Sequence, residues 1–173
     1  MQLIETVELA SAQTTVEFTS IPSNGQDLCV VASILAPSQK TRVNIVLNSD
    51  TGANYSAKYI LADADEATDL TSNSESGQNE MLALYSGAFD HPSNNFYYFT
   101  DYRSSNEKTV SFRGTNEPSS GGAARMTWGL AEYSGTSPIS SIEFSLASGD
   151  FQADSVFSLY VVNTGSDGTT VVS

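Results

Sequence analysis

Runs in which every second residue is apolar limit most strongly what this chain can fold into. Ile142, Phe144 and Leu146 alternate with polar neighbours, as do Phe157, Leu159 and Val161, and Val16 and Phe18. Residues two apart share a side only in an extended strand, so each run has one face toward a core and one toward water. Val, Ile, Thr, Tyr and Phe dominate these runs, while Gly, Ser, Asn and Asp recur between them and helix signals are weak. Strands are expected near 2–9, 14–19, 26–35, 41–48, 54–61, 79–85, 94–101, 107–114, 123–132, 139–147 and 155–162. The fold class that follows is all-β, an antiparallel β-sandwich of jelly-roll type. One domain covers 1–162, and 163–173 form a C-terminal extension or arm.

Turn chemistry falls between these runs. Asn24-Gly25 separates the second and third strands, and Asp50-Thr51-Gly52 the fourth and fifth. Pro22 and Pro138 stand at strand ends, where a missing N–H does least harm. The one long irregular segment runs from about Asp63 to Asn79, with a single helical turn conceivable at Asp65 to Leu70. In the arm, 163–168 read as flexible, whereas Thr169, Thr170, Val171 and Val172 have strand propensity. Such an arm is a candidate to add a strand to a neighbouring subunit's sheet edge.

Charge excludes more than it proves. A net charge of −13 sets the chain against phosphate backbones, so no nucleic-acid partner is expected. No Lys or Arg occurs between Lys58 and Arg103, and the acids of that stretch read as a solvated face. No apolar run approaches the roughly 18–20 residues of a membrane span, and no secretory signal is visible at the start, so assembly in a cytoplasm is expected. The only cysteine, Cys29, lies in the apolar run Leu28-Cys-Val-Val-Ala32 and reads as a buried, inert thiol.

Catalytic chemistry finds little footing. The only histidine, His91, sits in a loop-like context, and its neighbour Asp90 is badly placed to orient it as a triad requires. No Gly-x-Ser-x-Gly elbow and no phosphate-binding glycine loop occurs, so no enzyme and no cofactor is expected. Asp63-Ala-Asp65-Glu66-Ala-Thr-Asp69 and Asn48-Ser-Asp50-Thr51 offer oxygen ligands for calcium but lack the EF-hand spacing, and a solvated acidic loop is the favoured reading. Phe96-Tyr97-Tyr98-Phe99 places Phe96 and Tyr98 on one side and Tyr97 and Phe99 on the other. One pair enters the core, and the other is free for a neighbouring subunit or a sugar. Tyr97 and Phe99, with Thr169, Thr170, Val171 and Val172, are the candidate partner contacts. Trp128 reads as core or sheet packing in preference to sugar stacking.

Two segments about a hundred residues apart carry a resemblance. Asn48-Ser-Asp-Thr-Gly-Ala-Asn-Tyr55-Ser-Ala-Lys-Tyr59 and Ser148-Gly-Asp-Phe151-Gln-Ala-Asp-Ser155-Val-Phe157-Ser-Leu159-Tyr160 resemble the stretches "NGDTGSNYSYRYL" and "GNFVAGSTFSLYG" of small β-sandwich virion proteins of tailed, often marine, bacteriophages. The likeness runs from about Ile4 to Val161. It departs where Asn48-Ser-Asp replaces Asn-Gly-Asp and where Tyr160-Val161-Val162 replaces a Tyr-Gly ending. The resemblance implies a virion structural protein. With no shaft-forming segment evident, the expectation is a capsid decoration or cement protein on the outer head surface, bridging capsomers. Its expected partners are the major capsid protein and itself, as a homotrimer. The alternative is the glycan-recognising head of a tail or head fibre, using loops 63–79 and 91–95 and exposed tyrosines.

Overall fold

The computed structural model describes residues 1–37, 41–63, 70–85, 91–116 and 124–163. The arm residues Thr169, Thr170, Val171 and Val172, together with 64–69, lie outside them, so neither the proposed strand addition nor the acidic 63–69 ligand set meets an observation.

Among the described residues twelve strands run in chain order: β1 Gln2–Glu8, β2 Thr15–Phe18, β3 Asp27–Ile34, β4 Arg42–Leu47, β5 Tyr55–Asp63, β6 Leu70–Gln78, β7 Met81–Tyr85, β8 Ser93–Thr100, β9 Lys108–Asn116, β10 Arg125–Tyr133, β11 Ile142–Leu146 and β12 Val156–Val162. They form an eight-stranded sheet, β1-β12-β3-β8-β9-β10-β5-β6, and a four-stranded sheet, β2-β11-β4-β7. All pairings are antiparallel. The chain crosses between the sheets at most connections, staying in the larger one from β5 to β6 and from β8 to β10, and the orders β2-β11-β4-β7 and β3…β10-β5-β6 are those of a jelly roll. A β8–β9 hairpin is inserted in the larger sheet, and β12 and β1 extend it beyond β3. The expected antiparallel β-sandwich is what the chain forms.

The alternating runs bury the sides the sequence assigns them: Val16, Phe18, Ile142, Phe144, Leu146, Phe157, Leu159 and Val161 all belong to the core. Phe144, at the middle of the small sheet, reaches across to the large one. Its ring lies 5.4 Å from those of Tyr97 and Phe157 and 6.3 Å from Phe18, and Phe157 in turn meets Phe151 at 5.1 Å. These tilted and edge-on contacts suit the ring quadrupoles and add to the burial of each ring.

The expected strand positions miss one strand. The segment read as irregular from Asp63 to Asn79 contains β6, paired with β5 from Ala62↔Leu70 to Tyr55↔Gln78 with one bulge. Its sequence, LTSNSESGQ, has almost no β-branched or aromatic residue, so propensity is silent. As the outermost strand it needs no apolar face, and polar side chains there discourage pairing with another chain. Arg42 of β4 donates to Glu75 Oε1 at 2.9 Å and ties this edge to the small sheet.

Connections between sheets are fastened by buried tyrosine hydroxyls. Tyr102 donates to the Pro22 carbonyl and accepts from Gly25 N–H at 3.1 Å, holding the β2–β3 corner. Tyr55 accepts from Leu47 N–H at 3.0 Å and donates to the Asp50 carbonyl at 2.8 Å, holding the β4–β5 corner. That second corner is a tight turn in which Asp50 N–H reaches Leu47 O at 3.0 Å and Asn48 and Ser49 stand at φ 54° and 55°. It joins strands of different sheets, so the strand–turn–strand pattern of the sequence is a corner and not a hairpin. The left-handed φ at Ser49 gives a physical reason for glycine at this place. Ser49→Gly is expected to raise stability by about 0.5–1 kcal/mol, read as a higher urea midpoint at constant m-value.

The remaining corner groups belong to Asn48 and Asp50. Asn48 Oδ1 accepts from Ser140 N–H at 2.7 Å, while its amide donates to Pro138 O at 3.0 Å, locking the approach to β11. Asp50 Oδ1 accepts from Gly52 N–H at 2.8 Å, and Oδ2 from Asn54 at 2.8 Å and from the Tyr133 hydroxyl at 2.9 Å. Tyr133 stacks on Tyr55 at 4.9 Å. The Gly52 amide first, then Asn54 and Tyr133, hold the Asp50 carboxyl below its ordinary value. A lowered folded-state value means the contribution is fully present above the unfolded carboxyl's range, near pH 4, and is lost as pH falls through the folded value. The stability gap between wild type and Asp50→Asn, measured by urea unfolding, is therefore expected to be constant above about pH 5 and to narrow below about pH 4.

Candidate functional site: the outer face of the large sheet

The four-stranded sheet covers one face of the eight-stranded sheet, and the other faces outward. On β8 the inward residues are Ser93, Asn95, Tyr97 and Phe99, all buried, and the outward ones Asn94, Phe96, Tyr98 and Thr100. Tyr97 and Phe99 are thus core residues with no exposed surface, which removes them as partner contacts. The parity of the Phe96–Phe99 run is as read, but the outward pair is Phe96 and Tyr98, stacked at 6.3 Å. Trp128, expected to pack in the core or sheet, is 62% exposed.

Register turns these outward side chains into rows. A single line crosses all eight strands: Thr6, Ser158, Val31, Phe96, Arg113, Trp128, Ile60 and Ser72. In the row on one side Tyr160, Tyr98, Leu130 and Lys58 stand out, and in the row on the other Val156, Asn94, Thr115 and Met126. Val31, Met126, Trp128 and Leu130 are each more than two-fifths exposed. Solitary exposed apolar residues need no explanation, but a contiguous set at the centre of a sheet marks a contact surface.

Electrostatics sharpen this. Along the three rows the acid is Glu8, at the β1 edge, and the cations are Arg113, on the central strand β9, and Lys58, on β5 beside the opposite edge. Asp27 and Glu132 lie in the next row out. Apolar and aromatic side chains around an arginine, with the acids further out, are the anatomy of a protein interface, where Arg is enriched. Arg113 lies over the Phe96 ring at 4.9 Å, a cation–π contact. Among the described residues neither Arg113 nor Lys58 has a hydrogen bond or an ion pair, whereas Arg42 is paired with Glu75 and Lys108 donates to the carbonyls of Ser104, Asn106 and Thr136. Trp128 forms a ridge between two shallow grooves. One, of about 580 Å³, lies between Val31, Phe96, Arg113 and Met126, and the other, of about 610 Å³, between Lys58, Ile60, Ser72 and Leu130.

Cys29 points to this side but is buried beneath it, and burial pushes its thiol up to about 11. It is a packing residue, as its apolar surroundings in the sequence indicate. Tyr98 donates to Asp27 Oδ2 at 2.7 Å; burial and this bond push its hydroxyl up to about 12. The oxygens of Asn48 and Asp50, considered for calcium, are engaged by protein donors. Among the described residues no group of three or more His, Cys, Asp or Glu is placed to hold a metal ion.

Compared with known proteins, the chain matches no family model and no curated sequence.

Sequence reasoning found the alternation of the Phe96–Phe99 run in β8 but not which side the second sheet covers, and it read no alternation in β10. The signal available for Trp128 was parity: Thr127, Ala131 and Tyr133 are buried, so Met126, Trp128 and Leu130 must face out. Trp128→Ala is expected to change stability by less than about 1 kcal/mol, against about 3–5 kcal/mol for Phe144→Ala, in urea unfolding. Acrylamide should quench Trp128 freely in the folded state.

Proposed function

We propose that the protein is a non-enzymatic virion structural protein, a decoration protein that docks on the outer head surface of a phage and bridges capsomers. The observation that carries this is the uncovered outer face, apolar at its centre and set in a molecule of net charge −13. At about 4.8 Å per strand and about 3.4 Å per residue, eight strands span about 34 Å by about 27 Å, roughly 900 Å². A standard interface takes about 800 Å² from each partner. The resemblance of the Asn48–Tyr59 and Ser148–Tyr160 segments to phage virion proteins supplies the kind of particle. In this reading the sandwich acts mechanically: it binds the assembled shell and stabilises that state by mass action. The acidic remainder of the surface faces solvent and keeps particles apart.

A second reading draws support from Trp128, whose exposed ring between two grooves also suits the flat face of a sugar; the protein would then be the receptor-binding head of a fibre. Localisation on purified particles by cryo-electron microscopy separates the two. Decoration predicts a regular lattice over the head with the large sheet toward the shell, and loss of that density in Trp128→Asp particles. Density confined to the tail or to fibre tips overturns decoration and makes the Trp128 grooves the receptor site.

A further inference from the structure

Resting on the reading of the outer face as a docking surface, we infer that its occupant is a different protein presenting a carboxylate side chain between apolar ones, seated on the Phe96–Arg113–Trp128 row. Two features of the face specify this chemistry. The first is its shape and polarity. Val31, Phe96 and Met126 on one flank of Trp128, and Ile60 and Leu130 on the other, accept apolar side chains in two parallel grooves. The second is Arg113. Its guanidinium stands at the centre of the row, held over Phe96 at 4.9 Å, with no carboxylate and no hydrogen-bond acceptor among the described residues. Arg42 donates to Glu75 Oε1 and Arg103 to the Ser23 carbonyl, whereas Arg113, in the middle of the face, has its donors open among the described residues. Covering it with an apolar surface would strand a desolvated cation at a cost of several kcal/mol. Covering it with a surface that brings a carboxylate gives a charge-assisted, potentially bidentate pair. Lys58 offers the same pairing in the second groove, across from Leu130.

These charges also disfavour a second copy of this chain. Face-to-face pairing about a two-fold axis is self-complementary, so the centre of the face meets itself. An axis along the strands through the middle of the row would bring the two Arg113 guanidiniums to within about one strand spacing, about 4.8 Å, with no acid beside them. The nearest candidates, Asp27 and Glu132, sit a row further out. Two molecules of charge −13 also repel at long range.

The test uses the full chain and its single tryptophan, which is the ridge of the site. Three capped pentapeptides, Leu-Ser-Glu-Ser-Leu and its Gln and Lys counterparts at the centre, place Leu, the variable residue and Leu on one side when extended. Each is titrated to millimolar concentration, with Trp128 emission and amide chemical shifts as readouts. The Glu peptide is expected to bind about three- to fivefold more tightly than the Gln peptide, with the Lys peptide weakest, and with shifts centred on Phe96, Arg113 and Trp128. Arg113→Gln should bring the Glu peptide down to the affinity of the Gln peptide, its amide spectrum elsewhere reporting an intact fold. The inference is overturned by equal affinities, by a Glu preference that survives Arg113→Gln, or by no saturable change with any peptide. A blue shift of Trp128 emission on raising the protein concentration alone would identify a second copy as the occupant and overturn it too. If the Glu preference holds but particles carry no such protein, the virion assignment falls and the docking chemistry stands. If particles are decorated and the preference is absent, the reverse applies.

Discussion

The eight-stranded sheet has two faces, and the described strands supply a four-stranded cover for one of them, while Val31, Met126, Trp128 and Leu130 are exposed on the other. Almost every feature of the molecule follows from this inequality. The covered face takes the long apolar runs, and the aromatic group around Phe144 joins the two layers. The uncovered face must be stable in water while still carrying Val31, Met126, Trp128 and Leu130. Small polar residues such as Ser33, Ser72, Ser111 and Thr115 dilute that apolar surface, and the acids stand around it and not within it. A face built only for solubility would have no reason to hold its acids away from its cations.

The corner between β4 and β5 answers a different requirement. When consecutive strands lie in different layers, no ladder hydrogen bonds connect them, and side chains have to satisfy the turning backbone. Asn48, Asp50 and Tyr55 do this, reaching Ser140, Gly52, Tyr133 and Leu47. These are also the residues that make the segment distinctive as a sequence. Its Asn48, Asp50, Gly52 and Tyr55 are spent on joining the layers. Ser155, in the other distinctive segment, acts similarly: its hydroxyl accepts from Leu35 N–H at 3.0 Å and ties the end of β3 to the start of β12.

What was legible in the sequence was local. Period-two alternation marked the strands of the core, and turn residues marked the gaps, because both depend only on neighbours along the chain. β6 was not legible: nine largely polar residues become a strand through pairing with β5 at an edge, and nothing in their own preferences signals it. The Phe96–Phe99 run was legible in its parity and not in its direction. Alternation says that two residues face each way, and only the position of the second sheet says which way is in.

The sequence by itself determined an all-β chain, a strongly acidic surface, a buried thiol at Cys29 and the strands that bear the core, since each rests on composition or on a period of two. Tertiary structure decided which face of the large sheet was left uncovered. It thereby decided that Phe96 and Tyr98, and not Tyr97 and Phe99, look outward, and that Trp128 lies in solvent. It also aligned Val31, Phe96, Arg113, Trp128 and Ile60, drawn from five strands scattered over the chain, into one row. Cross-strand register is set by pairing between distant segments, so a surface made of such a row exists only once the sheet has formed.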